Sequence, residues 1–457
     1  MSYAEFLARK AVTDPASGLI SWPPLPEQMF PFQRDITEWA LKRGRAALFA
    51  GTGLGKSFME LAWADAVHRE TGRDILHFAP LAVTAQMVRE ADKFGIKARQ
   101  ARSGGEVLSG VNITNYQKLE HFDLSRFGGV ILDESSILKS YDGHYRTALI
   151  QACARLPFRL AATATPAPND FMELGNHAEF LGVMSYTDML ATFFTHDGGE
   201  TQKWRLKGHA EDDFWKWMAS WAVMLRKPSD LGYSDDGYNL PPLNIHQHTV
   251  RSSVEDAWSS GSLFIQEAQT LSERITARRD TVEARVRLAA DITPSDRSVC
   301  WWTNLNAESQ MLAKLCGATE LSGSDSEDEK ERKILGFCDG SIKRLVTKGS
   351  IMAFGVNAQV CHWTGMVGLN DSWETYYQAV RRFWRFGQTH PVDVHLIAAD
   401  REGAVAANLR RKEADADRMA AAMVRHMQDL STKAVRGIVR DTPNYNPKMK
   451  MECPTWL

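Results

Sequence analysis

Cysteine is scarce and badly placed for chemistry in this chain. Six cysteines are scattered through 457 residues (Cys153, Cys300, Cys316, Cys338, Cys361, Cys453), and no two form a C-x-x-C pair. That spacing argues against a zinc site and a disulfide framework and fits a reducing cytoplasm. Long apolar runs are missing too: none approaches the roughly 18 residues needed to span a bilayer. The opening "MSYAEFLARKAVTDPASG" has no apolar stretch of the secretory kind. Neither sign of charge prevails, with 54 Lys and Arg against 56 Asp and Glu. Composition alone therefore gives no hint of nucleic acid, and any basic surface must be local. Short repeats and low-complexity tracts are absent. What remains is a globular composition in a chain too long for one ordinary core, so two or three domains are expected.

Two regions alternate short apolar runs with helical stretches. The first holds "AALFA" (46–50), "DILHFA" (74–79), "VNIT" (111–114), "GVILD" (129–133) and "FRLAAT" (158–163); the second holds "SVCWWT" (298–303), "KRLVT" (343–347) and "VDVHLI" (392–397). Such alternation predicts an α/β fold of parallel sheets covered by helices. Ligands then bind beyond the carboxyl ends of the strands. Between the regions, Phe214, Trp217, Met218 and Trp221 share one helical face, which reads as core packing rather than a base-stacking platform. The prolines of "GYNLPPLNIHQ" (237–247) suggest a linker, and 272–290 a charged helix whose arginines pair at i,i+4 on a solvated face. Residues 401–428 read as one Ala-rich helix and the last twenty as irregular.

The chemistry starts at "AGTGLGKS", Ala50 to Ser57, where a strand runs into a helix. The stretch is close to the phosphate loop G-x-x-x-x-G-K-[ST], with Ala50 in place of the first glycine. Gly51, Gly53 and Gly55 let the backbone curl so that several N–H groups face phosphate oxygens, with Thr52 among them. The helix beginning near Lys56 adds its positive end. Lys56 suits the β and γ phosphates of ATP, and the Ser57 hydroxyl suits Mg²⁺. About 75 residues on, an apolar strand ends in Asp133 and Glu134. If it lies beside the loop's strand, Asp133 serves the magnesium and Glu134 orients the attacking water. In "RRFWRFG", Arg382 and Arg385 are three apart and so share a helical face. Their planar forks suit a γ-phosphate whose charge spreads in the transition state.

With these residues in place, the chain resembles the superfamily-two helicases and translocases, most of all the Swi/Snf-type DNA translocases. The likeness covers about 30–235 and 295–425. "PFQRDITEWALKRGRAALFAGTGLGKS" is similar to the family's opening segment, which implies that Gln33 reads adenine. "APLAVTAQMVREADKF", with Pro80, resembles motif Ia, and "ITNYQKL", with Thr114 and Tyr116, resembles motif Ib; both imply contact with a nucleic-acid backbone. "DESSILKS" resembles the DExx box and its trailing Lys139, with Ser136 where histidine is usual. "TATPAPNDFMELGNHAEFL" resembles motif III through Thr163, Thr165 and Pro166, with Ala164 replacing glycine. Gly355 and Asn357 match motif V; Gln378, Arg382, Arg385, Gly387 and Gln388 match motif VI, where Arg381 departs from the pattern.

The resemblance implies two tandem RecA-like lobes with a helical insertion between them. The implied boundaries are an N-terminal extension (1–29), lobe one (30–170), its helical continuation (171–235), a linker with a charged helix (236–292), lobe two (293–400) and a C-terminal helix and tail (401–457). ATP and Mg²⁺ then sit between the lobes and their hydrolysis drives movement along a nucleic acid. Duplex DNA is favoured over RNA, and translocation over strand separation, since no strand-splitting wedge is recognisable. A nucleotide-gated clamp with slow hydrolysis, or an RNA helicase, are the competing readings. A monomer in a bacterial cytoplasm, possibly phage-encoded and without membrane or zinc partners, completes the expectation.

Overall fold

In strand after strand, residues are buried on both faces, as fits a parallel sheet covered by helices. The computed structural model describes residues 14–139, 143–167, 170–196, 204–251, 281–352, 356–368, 373–400 and 403–436. The first lobe opens with β1 (Arg45–Ala50), β2 (Ile75–Ala79), β3 (Ala98–Gln100), β4 (Val111–Asn115), β5 (Gly129–Asp133) and β6 (Phe158–Thr163). A small antiparallel pair, β7 (Phe194–His196) and β8 (Trp204–Leu206), stands apart, and β9 (Ala222–Leu225) then rejoins the sheet. The sheet order is β3-β4-β2-β5-β6-β1-β9. The second lobe contains β10 (Leu243–Val250), β11 (Val299–Thr303), β12 (Thr319–Leu321), β13 (Arg344–Lys348), β14 (Trp363–Val367) and β15 (Val392–Ala399). Its order is β10-β15-β14-β11-β13-β12, and all pairings in both large sheets are parallel. The architecture is two α/β lobes in tandem.

Side-chain alternation splits the first lobe into two cores. Phe49, Phe78 and Leu132 face one way and meet Phe214, Trp217, Met218 and Trp221 of the helix Glu211–Trp221. The aromatic stripe is core, as its spacing predicts, and each such side chain contributes about 1.5–3 kcal/mol of burial. Leu48, Ile131 and Leu160 face the other way, onto the helices Pro31–Arg43 and Lys56–Thr71.

Four expectations need correction. β5 does not lie beside β1: β6 pairs with both and separates them. The presumed linker holds β10, which pairs with β15 from Leu243 to Val250. Its mostly exposed residues follow from its place at the sheet edge. Arg285, assigned to a solvated face, is fully buried and pairs with Glu308 at 2.6 Å; Arg287 does pair with Glu283 at i,i+4. Arg382 and Arg385 do not sit on a helix, because Trp373–Val380 ends before them and a tight turn carries both. Residues 272–280 and all of the last twenty residues lie outside the described residues.

The C-terminal helix Gly403–Arg436 outruns its expected end and straps the lobes together. Met423, Val424 and Met427 are buried in the first lobe's core, while Ala416 packs on the second lobe's. Asp417 pairs with Arg226 at 3.0 Å. Among the described residues, no helix is long and apolar enough to cross a membrane.

Candidate functional site: the cleft between the lobes

The turn from β1 into the helix Lys56–Thr71 needs glycine on steric grounds. Gly53 and Gly55 hold φ of 89° and 80°, a region side chains disfavour. A Cβ on Gly53 would stand 2.8 Å from the backbone nitrogen of Phe386, and one on Gly55 would stand 2.3 Å from the Gln33 amide. The loop is thus pressed between the second lobe and the helix Pro31–Arg43. Gln33 braces it: its Oε1 accepts from the Phe30 amide at 3.1 Å and its Nε2 donates to the Leu54 carbonyl at 2.9 Å. Lys56 Nζ donates to the Ala50 carbonyl at 2.9 Å. The Thr52 hydroxyl is buried without a partner.

A cleft of about 320 Å³ opens on this loop, within the range of small-molecule sites. Its walls include Gln33, Thr52, Gly53, Gly55, Lys56 and Ser57 from the loop region, Asp133 and Glu134 from the tip of β5, and Asn357, Arg382 and Arg385 from the second lobe. Residues far apart in sequence, Gln33 and Arg385 among them, therefore share one cavity. Gly51 lines a neighbouring cavity of about 520 Å³, together with Thr165, Pro166 and Arg381. Arg381 lies over the rings of Tyr377 and Trp384, at 5.0 and 4.4 Å.

The carboxylates are strained and crowded. Glu134 has φ of 50°, the sole positive value of a non-glycine among the described residues. Such strain gathers at working sites. Its amide donates to Asp133 Oδ1 at 2.9 Å, and the Thr163 hydroxyl on β6 lies 3.5 Å from its Oε2. Thr165 donates its amide to Thr163 Oγ1 at 3.1 Å, so the inserted strand joins motif III to the acid. Burial, then the charges of Glu60 and Glu134, push the Asp133 carboxyl well above its usual range; His77 and Lys56 oppose them. A crowd of buried acids facing a single nearby ammonium is a setting a divalent cation would relieve. Asp133 and the Ser57 hydroxyl line the same cleft and are the oxygen groups that would hold such an ion. Among the described residues, no group of three or more His, Cys, Asp or Glu is arranged to hold a metal alone.

The second lobe answers with cations. Arg382 is buried, donating to the Gln378 carbonyl at 2.9 Å and to Gln378 Oε1 at 2.7 Å. Burial lowers its pKa, and the charges of Glu134 and Asp133 favour its ionised form. Arg385 is pushed down to about 10 by burial and by Arg382, and Glu90 and Glu134 favour its charge. Its Nη1 reaches the Val356 carbonyl at 3.4 Å, and its Nε is buried without a partner. Unfilled donors beside an ammonium and a glycine loop fit a polyphosphate.

A second interlobe cavity, about 510 Å³, is lined by Pro80, Tyr116, Ser136 and Lys139 on one side and by Glu327 and Ile334 on the other. Two ion pairs cross the same gap: Arg102 to Asp328 at 2.9 Å and Lys118 to Glu327 at 3.3 Å. Three residues of the matched motifs make inward contacts, Tyr116 while also lining this cavity. Thr114 is buried on β4, the Tyr116 hydroxyl donates to the Asp133 carbonyl at 2.5 Å, and Gln378 holds Arg382. Gln388 ties up its own turn, donating to the carbonyls of Gln359, Cys361 and Phe383. Gly355 lies outside the described residues. Sequence reasoning missed the aromatic group of Phe30, Tyr238 and Phe386 beside the cleft, with ring centroids 4.7–6.1 Å apart. Gln86 and Glu90, which bond to Asn357, were missed as well.

No protein-family model matches the sequence, and no curated protein matches it. Among solved structures, the chain is similar to a Sulfolobus solfataricus SWI2/SNF2 ATPase core in complex with double-stranded DNA, at 16% identity over 94% of this chain and 99% of that one, TM-score 0.42. It is also similar to the ATP-dependent Type ISP restriction-modification enzyme LlaBIII bound to DNA, at 12% identity and TM-score 0.50. That likeness covers 82% of this chain and 28% of the enzyme's. Strand order and the likeness to the second of these structures agree on the fold alone: two tandem RecA-like lobes, as the sequence predicts.

Proposed function

We propose that this protein is a nucleic-acid-dependent ATPase that moves along duplex DNA. The observation that carries the reading is one cavity walled by Lys56, Asp133 and Glu134 from one lobe and by Arg382 and Arg385 from the other. Neither lobe alone completes that set, so turnover depends on how the lobes meet.

The cleft residues fit ATP with magnesium, which when bound supplies the labile γ-phosphoryl group and neutralises its charge. The loop amides and Lys56 hold the phosphate tail, with Gln33 keeping the loop in shape. Asp133 and Ser57 hold the metal, and Glu134 orients the attacking water. Arg382 and Arg385 meet the charge that builds on the transferring group. Phe30, Tyr238 and Phe386 offer aromatic faces for a base. The groove bounded by Pro80, Tyr116 and Lys139 is where a strand would pass. Contacts there address the backbone, so binding tolerates sequence and weakens with salt.

The test is phosphate release with no nucleic acid, with single-stranded DNA, with duplex DNA and with RNA at one ionic strength. Duplex DNA should accelerate release most. Equal rates in all four would overturn the motor reading in favour of a slowly hydrolysing clamp, and greatest acceleration by RNA would make the protein an RNA helicase.

A further inference from the structure

The helix Leu81–Lys93 touches both interlobe cavities. Its start, with Pro80, Leu81 and Ala82, lines the groove; its end, with Glu90, Lys93 and Phe94, lines the nucleotide cleft. At 1.5 Å per residue, the nine steps from Leu81 to Glu90 span roughly 13 Å. A straight helix of that length is a stiff connector between the two places.

Its middle grips the other lobe. The Asn357 backbone N–H donates to Gln86 Oε1 at 3.0 Å, and the Asn357 side chain donates to Glu90 Oε1 at 2.6 Å. Gln86 Nε2 also donates to Glu90 Oε1, at 2.8 Å, which fixes the pair one helical turn apart. On its far side the Asn357 loop is sewn to the turn bearing the arginines. Ala358 donates its amide to the Arg382 carbonyl at 3.1 Å, Gln359 Nε2 donates to the Phe386 carbonyl at 3.1 Å, and Arg385 donates to the Val356 carbonyl at 3.4 Å. The bonds form a continuous path: helix, Gln86 and Glu90, residues 356–359, then Arg382 and Arg385. Glu90 is also the first among the carboxylates that favour the Arg385 charge. Asn357 Oδ1 is buried without a partner.

We propose that Gln86 and Glu90 are positioning residues that transmit occupancy of the groove to the arginine turn, setting how far nucleic acid accelerates hydrolysis. This rests on the motor reading above. Neither side chain need touch the reacting phosphate; both act through Asn357. A strand bearing on the helix start shifts the helix, and the Asn357 bonds carry that shift to Arg385.

The test measures kcat with and without duplex DNA, KM for ATP and the DNA dissociation constant for Gln86→Ala, Glu90→Ala and Glu90→Gln, with circular dichroism as a check on folding. In Gln86→Ala, basal kcat and KM should stay near wild type. Both alanine variants should lose about tenfold of the DNA stimulation, equivalent to about 1.4 kcal/mol, with DNA affinity unchanged. Glu90→Gln keeps an acceptor for Asn357 and Gln86 and should retain the stimulation. Wild-type stimulation in either alanine variant, or equal loss of basal and stimulated rates, overturns the proposal. If the wild-type protein itself shows no stimulation, the motor reading has failed instead. The latch is then judged by X-ray scattering without ligands: the alanine variants should be more expanded than wild type, and superimposable curves overturn it.

Discussion

Lys56 Nζ rests 2.9 Å from the carbonyl of Ala50, the residue that stands in place of the loop's usual first glycine. The ammonium is thus parked across the mouth of its own loop, one bond away from the cleft. Phosphate oxygens compete for it easily, because a single neutral hydrogen bond nets only about 1 kcal/mol. Lys56→Ala removes the charge and leaves a carbonyl that water can satisfy. The fold should survive, while kcat falls by about 10²–10³ and ATP binding weakens. Phosphate release and nucleotide titration, read with circular dichroism, check this. Wild-type turnover in Lys56→Ala would mean that this loop is not the phosphate site.

The two arginines of the turn should fail differently. Arg385 has a loose bond to Val356 and a buried Nε with no partner, so its fork is free to meet a ligand. Arg385→Ala should keep KM within a few-fold and lower kcat by about 10³ or more. Arg382 is held twice by Gln378, and its loss leaves that buried amide unsatisfied. Arg382→Ala should therefore lower thermal stability as well as kcat. Thermal melts beside steady-state kinetics distinguish the two; equal melting points would remove the structural role of Arg382.

Much of this was legible from one dimension. The eight apolar runs picked out by pattern are all strands, because burial on both faces leaves a continuous apolar signature. β9 escaped notice because "AVML" follows the helix Glu211–Trp221 with no turn residue between them. β10 escaped because its exposed positions hold Asn, His and Gln, which read as loop. The glycine-rich turn before Lys56 and the paired acids are local patterns, visible in the sequence and brought to one cavity by the fold. Gln86 and Glu90 were not visible there, since an i,i+4 polar pair on an amphipathic helix looks like a solvated face until a second lobe is placed against it. The inward turn of Thr114 and Gln378 is likewise a tertiary fact.

The groove is guarded by charge. Asp328 and Glu327 of the second lobe occupy Arg102 and Lys118 of the first; the first pair is exposed and the second partly so. Exposed pairs contribute little, about 0.2–1 kcal/mol each, so phosphates can displace them. Asp328→Asn with Glu327→Gln should raise affinity for duplex DNA several-fold at low salt, with little change in melting temperature. Arg102→Ala with Lys118→Ala should lower it and make log K fall less steeply with log salt, by up to about 0.9 per lost phosphate contact. Fluorescence anisotropy across a salt series measures both. Unchanged slopes would place the strand elsewhere.

Behind Asp133, Glu60 and His77 face each other at 3.0 Å, both without solvent exposure. Burial pushes the Glu60 carboxyl up to about 8 and the His77 imidazole down to about 4. At neutrality the pair is therefore uncharged, a protonated carboxyl beside a neutral ring. The two groups pull stability in opposite directions. The Glu60 contribution is full below about 4.5, where the unfolded chain is also protonated, and is lost as pH rises through 8. The His77 contribution is full above about 6.5 and is lost as pH falls towards 4. Between 4.5 and 6.5 the slopes oppose, so this pair leaves wild-type stability nearly flat there. Glu60→Gln mimics the protonated acid and abolishes one slope. Its stability relative to wild type should climb by about 1.4 kcal/mol per pH unit from 4.5 to 8. Urea denaturation at pH 5, 6, 7 and 8 reads this directly. Parallel curves for the two proteins would show that Glu60 is ionised inside the core and that His77 carries its proton.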